Sequence, residues 1–323
     1  MSDSSGMSAG RIRLRLPATS ANLGSGFDAV ALAFNFSLEI EAEAADEFSI
    51  AATGRDAVRC GRLEDNLILH LYRSLLRENG RPEVPLAIEM KNGIPLGMGC
   101  GSSAAGRLAA IVMADHFGQL GWTSRQILEE ATALEGHPDN AAACWLGGFV
   151  AAACLGREVH VAHVNPPADW RAIVVLPAEP LPTIEARALL PESYSRADAV
   201  ANIQSVSMLG LAFAQGRGDL LHAAMADRIH QPYRSAMCPL LPLLLPLAGA
   251  EGILGVALSG AGPAVLAIVE NEGSLERASV AIRRAVGSLQ ETELLVSDFP
   301  SGGGEEFLVN GGRRLRFFAG ASA

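Results

Sequence analysis

Positive charge is in short supply in this chain. Its 25 lysines and arginines stand against 35 aspartates and glutamates, a formal net charge of −10 with a pI near 5.2, which argues against a general nucleic-acid binder. An acidic chain still holds a polyanion where backbone N–H groups and a bound divalent cation supply a local positive field. Cysteine is sparse and unpaired in pattern. Cys60, Cys100, Cys144, Cys154 and Cys238 are odd in number and form no C-x-x-C, which excludes a disulfide framework and implies reduced, mostly buried thiols in a cytosolic protein. A long uninterrupted apolar run is also missing. The most apolar later stretch, residues 238–250, is broken by Pro239, Pro242 and Pro246 and is too short to span a bilayer. Residues 1–10 are rich in Ser and Gly without an apolar core, a frayed, disordered terminus rather than a signal peptide. The expectation is a soluble protein with no membrane or nucleic-acid partner.

What is present is globular in character. Of 323 residues, 49% are hydrophobic and 19% charged, enough for one large or two ordinary domains with real cores. The organising stretch is Pro95-Leu96-Gly97-Met98-Gly99-Cys100-Gly101-Ser102-Ser103-Ala104-Ala105. Alternating glycines make a tight loop. Ser102 reads as an N-cap, and Ala104, Leu108, Ile111 and Val112 follow near helical spacing. A glycine loop that feeds a helix N-terminus presents free N–H groups and the positive dipole end to an anion. The anion expected there is a nucleotide phosphate. A Walker A loop is excluded, since Ser102 stands where its Lys belongs, and G-x-G-x-x-G fails because the third glycine comes one residue early. On spacing alone a plain Gly-rich turn before a core helix remains open.

Elsewhere the chain reads as follows. Residues 11–16 alternate as a strand and 17–28 are small and polar, a loop. Phe34 to Glu41 and Val84 to Met90 alternate as strands, and a helix runs from Asp65 or Asn66 to about Asn79. Thr123 and Gln126 form a capping box for a helix that ends at Glu135-Gly136. Glu135 therefore sits at the negative dipole end and needs a cation nearby or full solvation. From about residue 160 the order is β-α-β-β-α-β: strands 171–177, 253–259, 264–269 and 293–297, with helices over 199–215, 218–229 and 274–289. That order is the ferredoxin-like split βαβ arrangement. Residues 314–318 are a further edge-strand candidate.

Six strings carry a resemblance. The phosphate-loop stretch resembles the P-x3-G-x-G-S-S-A-A loop of the galactokinase–homoserine kinase–mevalonate kinase–phosphomevalonate kinase superfamily, and Ser259-Gly260-Ala261-Gly262-Pro263 resembles its S-G-A-G-P turn. Residues 17–28, Glu135-Gly136-His137-Pro138-Asp139-Asn140, Thr183 to Arg187, and Asp227 to Arg234 resemble motifs of the homoserine kinases within it. The resemblance covers residues 16–296 in the family's order. It implies a two-domain α+β kinase fold, residues 1–160 binding ATP and 161–323 forming a ferredoxin-like domain. The implied reaction is transfer of the ATP γ-phosphoryl to the side-chain hydroxyl of L-homoserine, giving O-phospho-L-homoserine in threonine biosynthesis.

The implied roles follow residue by residue. Pro95 to Ala105 bind ATP, with Gly97 to Ser103 cradling the phosphates and Mg²⁺ held by Ser103 and Glu135. Asn66 matches the family's adenine-side residue, though helix capping is its plainer role. Arg187 and Arg234 bind the substrate carboxylate, a task that suits a planar two-donor fork. Asp28 and Asn140, with Asn22 and Asp139 beside them, hold the amino group and the reacting hydroxyl. His137, Thr183, Ser259 and Gly260 complete the substrate side. Relatives such as mevalonate kinase carry Asp as base where Asn140 stands, and an amide cannot accept that proton. Asp28 or the γ-phosphate itself is then left to take it. Ser25, Cys100 and Ala264 depart from the family's usual Pro, Leu and Thr, and Cys100 puts a potentially reactive thiol beside the nucleotide. A homodimer in the cytoplasm is the family expectation. A sister kinase for an alcohol without an amino-acid head, and a non-catalytic nucleotide sensor, are the rival readings.

Overall fold

The computed structural model describes residues 10–181, 183–287 and 291–304. The alternating start forms β1 (Ile12–Asn22), which turns directly into the long β2 (Gly26–Ala44), antiparallel to it. The polar stretch expected as a loop is therefore mostly strand. Its period-2 signal is lost because both faces are covered: Thr19, Ser20 and Ala21 are all buried. β3 (Ser49–Gly54) and the one-turn α1 (Ala57–Cys60) were hidden by small and polar residues. α2 (Leu67–Glu78) and β4 (Leu86–Asn92) follow the expected pattern.

Past the glycine loop, α3 (Ser102–Gly118) runs through the centre with Leu108, Ile111, Val112 and Met113 fully buried. Its cap is Gly101 in the left-handed region (φ 72°), not Ser102, which is already the first helical residue. α4 (Ser124–Glu135) opens on the Thr123–Gln126 capping box and stops at Gly136, φ 83°. α5 (Asp139–Leu146), too short and Ala-rich to show a period, lies beneath β1 and β2. β5 (Phe149–Leu155) and β6 (Glu158–Val164) complete a sheet of order β3-β4-β2-β5-β6 with β1 on β2. Because β6 is continuous across residue 160, we propose the domain division in the 165–170 connection rather than at 160/161.

The second sheet begins with β7 (Arg171–Pro177). The long crossover carries α6 (Thr183–Ala188), α7 (Arg196–Gln215), α8 (Leu221–Ala224), α9 (Gln231–Arg234) and α10 (Leu240–Leu244). β8 (Ile253–Leu258), β9 (Val265–Val269), α11 (Leu275–Val286) and β10 (Thr292–Ser297) follow. The order β10-β7-β9-β8, antiparallel throughout, is the expected ferredoxin-like one. Alternation decides its layers. Ala172, Val174, Leu176, Leu266 and Ile268 join the core shared with the first sheet. Ile173, Val175, Val265, Ala267 and Val269 face the other way, onto α10 and α11.

Two helix expectations are corrected here. The sheet-covering partner of α11 is α10, from the proline-punctuated run, where Pro239 at the cap and Pro242 within the first turn do not prevent one helical turn. α7 instead packs Leu209, Ala212 and Phe213 into the shared core, with Phe213 stacked on Phe149 at 4.2 Å. The helix expected over 218–229 is reduced to a 3-10 turn and α8. Among the described residues α7 is long and apolar enough by composition to cross a bilayer. Its Asn202, however, is buried and donates to Ser25 O. Residues 1–9 and 314–318 lie outside the described residues.

Candidate functional site

The glycine loop is stitched to both halves of the molecule. Gly97, Gly99 and Gly101 all have φ between 72° and 77°. A Cβ on Gly99 would come within 2.1 Å of Ser259 O, and one on Gly101 within 1.9 Å of Thr19 Oγ1. These contacts are why the loop alternates glycine: the chain passes where no side chain fits. Ser259 Oγ donates to Gly99 O (2.8 Å) and Ala264 N to Met98 O (3.3 Å). Thr19 N donates to Cys100 O (3.0 Å). The first backbone bond of α3 is Ala105 N to Gly101 O, so the amides ahead of it point out of the helix end toward an incoming anion.

Cys100 is 1% exposed, and burial pushes its thiol up to about 12. The reactive thiol expected beside the nucleotide is thus a packed, protonated one. All five cysteines are free, with Cys100, Cys144 and Cys238 buried.

The loop is the common wall of two cavities. One, about 280 Å³, is lined by Leu38, Cys60, Met90, Ile94 and Leu96 together with Asn66, Gly97, Ser102 and Ser103, apolar enough for a planar base. Asn66 caps α2 from its rim: Oδ1 accepts from Ile68 N and Leu69 N, and Nδ2 donates to Cys60 O and Arg62 O. Capping, the plainer reading, uses up the amide. The other cavity, about 90 Å³, gathers Asn22, Asp28, Gly97 to Ala104, Glu135, His137, Asp139, Asn140, Arg187, Arg234 and Gly260. A larger groove of about 580 Å³ crosses the first sheet between Arg13, Glu41 and Lys91 and holds none of these residues.

Two arginines reach the second cavity from α6 and α9. Arg187 grips Asp28 with two hydrogen bonds, 3.1 and 2.6 Å. Arg234 is 1% exposed and donates only to neutral groups: Ala186 O (3.1 Å), His230 Nδ1 (3.2 Å) and Gly260 O (3.4 Å). Burial and then the neighbouring Arg187 charge lower its pKa. Burial lowers His230 too, and the neutral imidazole donates from Nε2 to Gly24 O (2.8 Å) while Nδ1 faces the guanidinium. Both guanidinium groups lie over Phe27, 5.5 and 5.4 Å from its ring centre. Asp227 anchors this turn by accepting from the amides of Ile229, His230 and Gln231, which explains the spacing of that string.

Carboxylates face the arginines. Asp28 is held in the left-handed region, φ 54°, its amide donating to Asn22 Oδ1 (3.0 Å). Asn22 Nδ2 donates to Gly260 O (2.8 Å), so one end of that amide closes the hairpin and the other braces it against the second half. Asp139 Oδ1 accepts from Asn140 N (2.6 Å) and sits 2.5 Å from His137 Nδ1. Burial alone would lower His137, but the Asp139 hydrogen bond and charge outweigh it and the imidazole pKa is raised. Asp139 Oδ2 is buried without a hydrogen-bond partner among the described residues. Ligand atoms of Asp28, His137 and Asp139 fall within 4.8 Å of one another, a nest for a cation or an ammonium. Asn140 accepts at Oδ1 from Thr19 Oγ1 (2.7 Å), which leaves its NH₂ as a donor and no base.

Ser103 and Glu135 meet through a third residue, Arg107. Its Nη1 donates to Ser103 Oγ (2.6 Å) and pairs with Glu135 Oε1. Thr19, Phe27, Arg107 and His230 were missed from the sequence. Thr19, Phe27 and His230 stand within the strings that carry the resemblance, and Arg107 lies four residues after Ser103 on an expected helix. The Thr183 side chain lies outside the described residues. Ser259 and Gly260 are close to the loop, but the Ser259 hydroxyl is spent on Gly99 O and Gly260 N on Ala21 O (3.1 Å).

Two sheets joined by a glycine loop with an open helix end define a small-molecule kinase. Residues 66–148 match the GHMP kinases N terminal domain and residues 211–288 the GHMP kinases C terminal domain. A homoserine kinase of Solibacter usitatus is 45% identical over 80% of this chain and 84% of its own length. One of Moorella thermoacetica is 40% identical over 79% and 86%. The crystal structure of homoserine kinase from Cytophaga hutchinsonii superposes with a TM-score of 0.77 at 27% identity, covering 91% of this chain and 96% of that one. The chain belongs to the homoserine kinase family.

Proposed function

We propose that the two cavities are the ATP and L-homoserine sites of one phosphoryl transfer, with the glycine loop between them. The observation that carries this is the shared wall: Gly97, Ser102 and Ser103 line both cavities. ATP would lay its base against Leu38, Met90 and Ile94 and its phosphates on the loop amides. Phosphoryl transfer needs mainly positioning and charge stabilisation, so each residue's task is to place or neutralise.

The substrate cavity suits a zwitterion. Arg187 and Asp28 neutralise one another; an amino acid offers a carboxylate to the first and an ammonium to the second, so neither charge is left alone. Arg234, buried and with no acidic hydrogen-bond partner among the described residues, is the second carboxylate ligand. The unpartnered Asp139 Oδ2 and the Asn140 NH₂ remain for the side-chain hydroxyl, which they orient toward the loop. Asn140 takes no proton. Asp28 or the γ-phosphate receives it.

The oxygens of Ser103 and Glu135 both lie against a single guanidinium nitrogen, a hard-oxygen pair around one cation position that fits Mg²⁺. When bound there, Mg²⁺ supplies charge neutralisation for the transferring phosphate. The same reading takes the chain as a cytoplasmic homodimer acting on a small molecule, with no nucleic-acid or membrane partner.

The test is ATP turnover by the purified chain with L-homoserine, set against 3-amino-1-propanol, which lacks the carboxylate. Homoserine should be strongly preferred. Equal use of the amino alcohol would transfer the reading to a sister kinase, and no turnover of either would favour a sensor.

A further inference from the structure

Glu135 is 8% exposed at the negative end of α4, a helix with no basic residue in its last turn. A covered carboxylate there is disfavoured by desolvation and by the helix dipole together. The charge that answers it comes from another helix. Arg107, one turn beyond Ser103 on α3, reaches back so that Nη1 meets both Ser103 Oγ and Glu135 Oε1. The ring of His137 is also near, with Nε2 3.9 Å from Glu135 Oε2. The guanidinium therefore occupies the cation position between the two oxygens assigned to the metal.

We propose that Arg107 is the resident counter-cation of the metal position, held there until a nucleotide phosphate draws it away. It keeps Ser103 and Glu135 in register and makes them unavailable to a divalent ion arriving alone. Nucleotide phosphates on the adjacent loop amides offer the guanidinium a stronger, bidentate acceptor, and its departure opens Glu135 to the metal. Metal and nucleotide then bind with positive coupling, and by linkage each raises the affinity of the other equally. The device adds a positioning residue to the reaction. It rests on the assignment of Ser103 and Glu135 as metal ligands.

The experiment is Mn²⁺ binding, followed by the EPR signal of the free ion, on the full chain without nucleotide. Wild type should bind weakly. Arg107→Gln should bind Mn²⁺ about tenfold or more tightly, at about 1.4 kcal/mol per decade, and adding Glu135→Gln should abolish the gain. Mn²⁺ alone should also raise the melting temperature of Arg107→Gln more than that of wild type, because the ion replaces the lost charge. Arg107→Lys keeps the charge, as one ammonium on a flexible stem in place of the planar guanidinium. It should show a smaller gain, and it keeps the question decidable if the glutamine variant does not fold. Unchanged Mn²⁺ affinity in both variants overturns the proposal. Binding of Mn²⁺ together with a non-hydrolysable ATP analogue tests the metal assignment separately. If Glu135→Gln binds that pair like wild type, the metal reading itself fails. If it loses the pair while Arg107 variants leave metal-alone affinity unmoved, only the counter-cation role is wrong.

Discussion

Arg234→Lys isolates the recognition of the amino-acid head. The guanidinium already gives Nε to Ala186 O and Nη1 to His230 Nδ1 and Gly260 O, and it still has a face toward the cavity. One ammonium cannot hold that scaffold and a carboxylate together, so at least one charge-assisted bond is lost. Such bonds contribute about 1.5–3 kcal/mol each. At about 1.4 kcal/mol per decade, kcat/KM for homoserine should fall roughly ten- to a hundredfold. ATP affinity should hardly change, because under the proposed function its phosphates rest on the loop amides of the opposite wall. Steady-state kinetics and calorimetric ATP titration measure the two sides, with a thermal melt to confirm that the buried site still folds. The amino alcohol without a carboxylate is the control: wild type should reject it and the variant should discriminate much less. A variant that loses ATP and keeps homoserine would place Arg234 on the nucleotide side and refute this map.

Two further outcomes follow from titrating groups. With its thiol raised to about 12 by burial, Cys100 should resist iodoacetamide in the folded chain while exposed Cys154 is alkylated; mass spectrometry showing Cys100 modified as fast as Cys154 would contradict the packing. His137 has a raised pKa once Asp139 outweighs burial, so its stabilising contribution is complete below its ordinary value of 6.5 and is lost as pH rises through the higher folded value. An NMR titration should therefore find its midpoint above 6.5, and a midpoint at or below that value would remove the pair's charge assistance.

How much of this could be read from the residues depends on what each signal reports. Continuous apolar runs found Arg171 to Pro177, β8 and β9, which are covered on both faces, and alternation, which reports a face that meets water, found β4. It failed over residues 17–28, because a strand covered on both faces by small residues has no period to show. Prolines at 239, 242 and 246 concealed α10, since they forbid a long helix and say nothing against one turn. The same limit governs the site. Motif strings brought Asp28, Glu135, His137, Asp139, Asn140, Arg187 and Arg234 to one cavity, yet a string names groups without naming what they hold. Ser259 and Asn22 proved to be struts, with their polar atoms committed to Gly99, Gly260 and Asp28.

That Glu135 needs a cation or full solvation was readable from its place at a helix end; its burial leaves the cation, and that demand has more than one solution. A metal satisfies it, and so does Arg107. The choice turns on which helix lies beside α4, a fact of packing between α3 and α4 that no local pattern carries. Two pairs of opposite charge at this site are made within the protein, Arg187 with Asp28 and Arg107 with Glu135. Each pair has the polarity of what a substrate would bring: an ammonium and a carboxylate in the first, a cation beside phosphate in the second. Binding is then an exchange of partners rather than the burial of bare charge. That exchange reduces the desolvation cost that otherwise makes a buried ionic site expensive to keep folded.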